Sequence, residues 1–185
     1  MSKNYSTQND LLLINLLEFY KSENNNNMDR MLQIINGESR ISLRIIDWFA
    51  TNYAKKYYTV YQVQDNDRRF KVYNDYKLKL KAYSKKRFDP FCRWDRITVP
   101  YKDGAYIQTT IGQLNFFKWA IENSVIDYIE QNYSNIEKDM NCRNSTSKNR
   151  ITDKSNKTRK KREELSVSAS KSIKKEKVEI VVKFD

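Results

Sequence analysis

The chain contains no histidine, three glycines, two prolines and two cysteines in 185 residues. Without histidine, the usual general base, the usual partner of a Ser or Cys nucleophile and the commonest metal ligand are all missing, which argues against an enzyme. Gly37, Gly104 and Gly112 stand too far apart for a phosphate-cradling loop or a dinucleotide fingerprint. Cys92 and Cys142 do not make a disulfide framework, and a four-ligand zinc site lacks its donors. A reducing compartment, no catalytic residue, no metal and no other cofactor are therefore expected. Long apolar runs are missing too. LLLINLL at 11–17 is too short to span a bilayer and the polar MSKNYSTQND before it is no secretory signal, so no membrane partner is expected.

What is abundant is positive charge, +12 in all. Residues 68–102 carry 12 basic and 3 acidic side chains, a net of +9, and residues 138–177 carry 14 and 5, again +9. The segments around them are neutral to acidic: −1 over 1–67, −4 over 103–137 and −1 over 178–185. Such a layout fits a folded reader with a basic arm.

Large apolar residues concentrate before about position 130, enough for one core that buries roughly two-thirds of its unfolded surface. The pattern predicts a single α+β domain over 10–137 with about four helices and two short β-hairpins, behind a disordered stretch at 1–9. Asn9 or Asp10 can cap a helix through LLLINLLEFY, whose apolar residues wrap nearly all round and predict deep burial. A short helix through MDRMLQII should stop at Gly37, and Ser39 can cap the next, with Ile41, Ile45, Trp48 and Phe49 on one face. YYTVYQV and RFKVY read as one hairpin, RITVPY and AYIQTT as a second turning at Gly104. Between them Asn74 or Asp75 can cap DYKLKLKAYS, followed by the loop KKRFDPFCRWD. Leu114, Phe117, Ile121, Val125 and Tyr128 predict one long helix from about Gly112 to Tyr133. Residues 138–177 read as a disordered basic linker. Val178, Ile180, Val182 and Phe184 in VEIVVKFD then alternate at strand period, so 178–185 reads as a docking strand for this domain's hairpin edge or for a partner's sheet.

ISLRIIDWFATNYAKK, YNDYKLKLKAYSKKRFDPFCR and TTIGQLNFFKWAIENSVIDYI resemble a family of short, basic, uncharacterised proteins encoded by giant nucleocytoplasmic large DNA viruses. The resemblance covers roughly residues 40–130, with YSKKRFDPFCR and GQLNFFKWAIEN its most specific parts. It implies a viral setting, with host cytoplasm, viral factory, nucleus or virion as locations, and no particular chemistry.

The basic centre interleaves Arg68, Arg69, Lys71, Lys77, Lys79, Lys81, Lys85, Lys86, Arg87, Arg93 and Arg96 with Phe70, Tyr73, Tyr76, Tyr83, Phe88, Phe91, Trp94 and Tyr101. Cations and flat rings are what phosphates and bases require, so the expected partner is DNA, RNA or another polyanion. On a helix Lys77, Lys81 and Lys85 recur every four residues, with Tyr76, Leu80 and Tyr83 on a neighbouring face. The plain alternative is a solvated helix face over an aromatic core. In the linker Arg159, Lys160, Lys161 and Arg162 form a second cluster suited to phosphates, to nuclear import or merely to solubility. Arg68, Arg69, Lys77, Lys81, Tyr83, Lys85, Lys86, Arg87, Arg93, Trp94, Arg96 and 159–162 are the candidate nucleic-acid contacts.

Three other readings compete. A scaffold or virion protein would dock an acidic partner through the basic block and use residues 178–185 for a protein partner or self-association. Cys92, among Arg87, Arg93 and Arg96, could be an activated thiol, although a cysteine between Phe91 and Trp94 is more often buried. Asp75, Asp89, Asp95 and Asp103 could hold a nuclease's metal, although acids in a basic block are more often salt-bridge partners.

Overall fold

Thr7 opens the first helix by exchanging hydrogen bonds with Asp10: Asp10 N–H donates to Thr7 Oγ1 (3.3 Å) while Thr7 N–H donates to Asp10 Oδ2 (3.1 Å). This reciprocal cap at Thr7 sits two residues ahead of the expected Asn9 and three ahead of Asp10, and α1 runs Gln8–Lys21. The computed structural model describes residues 7–21, 26–63, 68–149 and 175–176. It is α+β, with helices packed around two small antiparallel sheets. α1 is less buried than its composition suggests: Leu16 and Tyr20 reach the core, but Leu11 is exposed. Apolar residues outnumber the one face that has a neighbour to pack against.

α2 spans Asn27–Ile35 and the chain reverses at Gly37, whose φ of +76° a side chain would resist. Ser42, not Ser39, caps α3 (Leu43–Trp48), accepting from Ile45 N–H at 3.3 Å; the Ser39 hydroxyl accepts from Ile41 N–H instead. A π-helical turn at Phe49–Tyr53 follows, then α4 (Ala54–Lys56). β1 (Val60–Val63) and β2 (Arg68–Lys71) form the first hairpin, with Tyr61 opposite Phe70.

α5 (Val72–Arg87) starts directly from β2, ahead of the expected Asn74 or Asp75 cap. Asp75 instead accepts from Trp119 Nε1 at 2.7 Å, a tertiary bond that outweighs local capping. The helix breaks at Ser84 (φ 59°, ψ 170°), so Lys85–Arg87, expected in a loop, form a short helical continuation on a new axis. β3 (Arg96–Pro100) and β4 (Tyr106–Thr110) make the second hairpin around Gly104 (φ +72°). β5 (Lys175–Glu176) pairs antiparallel with β4 on the side away from β3.

The long helix expected from Gly112 to Tyr133 is cut in two, α6 (Ile111–Glu122) and α7 (Val125–Gln131), with Ser124 at φ 53° between them. Asn123 Nδ2 donates to the Trp119 carbonyl (2.8 Å) and Asn132 Nδ2 to the Tyr128 carbonyl (3.0 Å). At both breaks the asparagine amide shares a carbonyl that also accepts that asparagine's own backbone N–H, so side chain and main chain close the last turn together. α8 then runs Tyr133–Asn149, so the domain boundary expected at 137 falls inside a helix. Ile136 and Met140 are buried, and Asp139 accepts from Trp48 Nε1 (3.1 Å), Lys56 and Tyr57. Those contacts hold a polar sequence in a helix. The expected linker from 150 onward, the basic run 159–162 and the strand at 178–185 lie outside the described residues.

The core between the sheets and α6 is aromatic. Phe88, Phe116 and Trp119 sit 5.2–5.6 Å apart by ring centroid, and Tyr76 and Phe70 extend the cluster. Gly112 lets α6 approach closely: a Cβ there would lie 2.9 Å from the Lys86 carbonyl oxygen. Buried Gln113 ties the same corner together, with Nε2 donating to the Pro90 carbonyl and Oε1 accepting from Thr109 Oγ1, both at 2.9 Å. Among the described residues no helix is long and apolar enough to cross a membrane.

Candidate nucleic-acid interface

At about 100° per residue, α5 sorts its side chains cleanly. Val72 and Tyr76 are buried and Tyr73, Leu80 and Tyr83 half-buried on the inward side, while Lys77, Leu78 and Lys81 point to solvent. Lys77 and Lys81 are therefore one turn apart on the outer surface, and Lys85 and Lys86, also exposed, follow beyond the Ser84 break. Arg68, Arg69 and Lys71 are exposed on β2, Arg93 and Trp94 on the connection into β3, and Arg96 at the start of β3.

These cations are not equivalent. Arg93 grips Asp89 with two hydrogen bonds of 2.7 Å, and Lys86 pairs with Asp95 at 2.9 Å. Both were candidate contacts, and both already have a carboxylate. Arg68 donates to Asn123 Oδ1. Arg87 is half-buried, and its carbonyl accepts from Asn115 Nδ2. By contrast Arg69, Lys71, Lys77, Lys79, Lys81, Lys85 and Arg96 have no carboxylate within 4.0 Å among the described residues.

The rings divide in the same way. Tyr83 is stacked on Phe88 (6.4 Å, 23°) and lines a cleft with Lys79, Lys118 and Trp119, so it serves the core on one face. Trp94 is 44% exposed. Two residues missed in the sequence join the surface. Lys55 of α4 lies 5.7 Å from the Tyr73 ring, beside the start of α5, and Tyr58 is 86% exposed at φ 48°. No local period links Lys55 to Tyr73, so only the packing of α4 on α5 brings them together. Tyr58 could have been suspected only as an aromatic residue at a helix-to-strand turn.

The competing chemistries gain no assembled site. Asp75 bonds Trp119, Asp89 bonds Arg93 and Asp95 pairs with Lys86, so these acids are engaged separately; the Asp103 side chain lies outside the described residues. No group of three or more metal-ligating side chains occurs among the described residues. Cys92 is buried, and that burial raises its thiol pKa despite the opposing charge of Arg96.

Beneath the basic surface Asp47 is pushed up to about 6 by burial and by the nearby Asp89 carboxylate, against the opposing pull of Arg93 and Lys85. The folded protein thus holds this proton over a range in which an unfolded aspartate, at about 3.9, has released it. The associated stability is complete below about pH 4 and lost as pH rises through about 6. Asp47→Asn should remove that loss, leaving the variant more stable at pH 7 by on the order of 1–2 kcal/mol and little changed near pH 4. Urea unfolding of both proteins at the two pH values measures the difference.

A family model described as "Family of unknown function (DUF7197)" matches residues 2–185. An uncharacterized protein of Acanthamoeba polyphaga mimivirus is 47% identical over 127 residues, covering 65% of this chain and 48% of that protein. The chain thus spans about half the length of this curated relative, which agrees with the giant-virus resemblance carried by residues 40–130. No solved structure matches.

Proposed function

For this chain, which belongs to the DUF7197 family of unknown function, we propose a non-enzymatic role in binding nucleic acid through the outer face of α5 and its neighbours. The observation that carries the reading is the set of solvent-facing cations without carboxylate partners among the described residues, Lys77, Lys81 and Lys85, with Arg69, Lys71 and Arg96 on flanking elements. Ammonium groups one helical turn apart, as Lys77 and Lys81 are, with Lys85 beyond the Ser84 break, can each meet a phosphate and release its counterions. Exposed Tyr58 and Trp94 add rings on which a base can stack. Contacts of this kind position a backbone but do not read a sequence, so specificity should be low. The basic run 159–162 would add a second electrostatic contact.

A salt titration of binding to duplex DNA, single-stranded DNA, RNA and heparin tests this. With about six phosphates engaged, affinity for nucleic acid should fall by roughly a thousandfold or more between 50 and 200 mM salt. Absence of binding at 50 mM, or affinity indifferent to salt, would refute the proposal. Capture of an acidic protein by a chain that ignores nucleic acid would favour the scaffold.

A further inference from the structure

α1 and α5 both pack on α6, and a cleft of about 230 Å³ remains where the three helices meet. Its floor is a face of α6 beside the apolar stripe: Asn115, Lys118, Trp119 and Glu122 recur at spacings of three and four. Lys79 and Tyr83, one turn apart on α5, form one wall, and the exposed Asn15 of α1 stands on the other. The volume is below the roughly 300–1,000 Å³ usual for larger ligands, so the cleft suits a single ring system.

The chemistry of the lining is specific. Asn115 is 7% exposed, and its Nδ2 donates to the Arg87 carbonyl at 2.8 Å, which fixes the orientation of the amide. Its Oδ1 then accepts no hydrogen bond among the described residues, a costly state for a buried carbonyl oxygen. Half-buried Lys79 has no carboxylate within 4.0 Å among the described residues, and Lys118 lies 3.7 Å from Glu122, so two lysines and one glutamate leave the lining at +1. Tyr83 covers Phe88 on one side and lines the cleft with the rest of its ring. Trp119 Nε1 is taken by Asp75, so the indole supplies an apolar surface and no donor.

We propose that this cleft holds one nucleotide unit, its base against Tyr83 and its 5′-phosphate on Lys79 and Lys118. A flat base takes a ring face to stack on, and its edge takes hydrogen-bonding partners. An exocyclic amino group would donate to Asn115 Oδ1, which favours a base bearing one over uracil. A bare phosphate would leave that oxygen without a donor, and an uncharged ring would leave Lys79 without an anion. The unit has two sources, a free nucleoside monophosphate or an unpaired nucleotide of a single strand. Lys79 lies about 160° round α5 from both Lys77 and Lys81, so a duplex on the outer face presents no base here. The site is separate from that face, and a free nucleotide fills it whether or not a polymer binds α5.

Isothermal titration calorimetry of the full chain at about 50 mM salt, where screening is weak, reads the free source. The probes are the 5′-monophosphates of adenosine, cytidine, guanosine and uridine, with ribose 5-phosphate as the anion alone. At least one amino-bearing nucleotide should bind roughly tenfold or more tighter than ribose 5-phosphate, and the uridine nucleotide about threefold to tenfold more weakly than that one. A single-stranded oligonucleotide carrying one 2-aminopurine, quenched on stacking against Tyr83, reads the strand source, with its duplex as control. For whichever source binds, Asn15→Trp, which fills the cleft from an exposed position, should abolish binding, and Lys79→Gln should weaken it by roughly tenfold. Lys138→Gln, the same charge lost from the exposed side of α8, should leave it unchanged, with circular dichroism confirming that each variant is folded. Binding of neither probe, ribose 5-phosphate or the uridine nucleotide as tight as every other, or indifference to both Asn15→Trp and Lys79→Gln would overturn the proposal. Salt-dependent polymer binding alongside any of those results would keep the outer-face interface and remove this site alone.

Discussion

Replacing Lys77, Lys81 and Lys85 by glutamine is expected to cost roughly 100- to 1,000-fold in nucleic-acid affinity at 0.1 M salt, without unfolding the protein. Each phosphate contact contributes about 0.9 to the slope of log affinity against log salt, so three lost contacts should make that slope shallower by nearly 3. The fold should tolerate the change. Lys77, Lys81 and Lys85 are exposed and have no ion pair among the described residues, and Lys77 and Lys81, like charges one turn apart, contribute only repulsion to the helix. Electrophoretic mobility at three salt concentrations, with circular dichroism as the folding control, decides the matter. An unchanged slope would remove these lysines from the interface. Lys86→Gln and Arg93→Gln should weaken binding less, because Asp95 and Asp89 already neutralise those cations.

Phe88→Ala should be the most damaging single substitution for stability, by about 3–5 kcal/mol. Phe88 is 2% exposed and touches the rings of Tyr76, Tyr83, Phe116 and Trp119, so the cavity would open where α5, α6 and the segment before β3 meet. Against a typical domain stability of roughly 5–15 kcal/mol, that is a large share, and the melting temperature should fall by on the order of 10–20 °C. Thermal unfolding followed by circular dichroism gives the shift; a drop of only about 2 °C would mean the cluster collapses around the gap. Unlike the lysine variant, this protein should regain nucleic-acid affinity whenever it is cold enough to fold.

Much of the fold was legible because its signals are local. Strand-forming residues on either side of a glycine turn gave the second hairpin, and helical periodicity gave α2, α5 and the start of α6. What escaped depended on contacts distant in sequence. Polar residues 138–149 read as linker, since nothing nearby reveals that Asp139 meets Trp48, Lys56 and Tyr57 from the other end of the domain. The break at Asn123 was masked by an apolar stripe that continues across it from Ile121 to Val125, whereas the end at Asn132 falls where the helix was expected to stop. In the same way, the count of cations between 68 and 102 was plain, but not which ones carry a carboxylate. Arg93 and Asp89 are four residues apart, a spacing as common in helix as out of it, and only the folded segment closes the pair.

One torsion governs how the positive groups are aimed. A serine at φ 59° and ψ 170° occupies backbone territory that glycine alone enters freely, so the surrounding structure must hold it there. On one side of it the lysines follow the axis of α5; on the other, the segment carrying Lys85–Arg87 is clamped against Gly112. The two sets of charge therefore lie on two helical axes that meet at Ser84. On the proposed reading, a polyanion would reach both sets of charge at once only by following that bend.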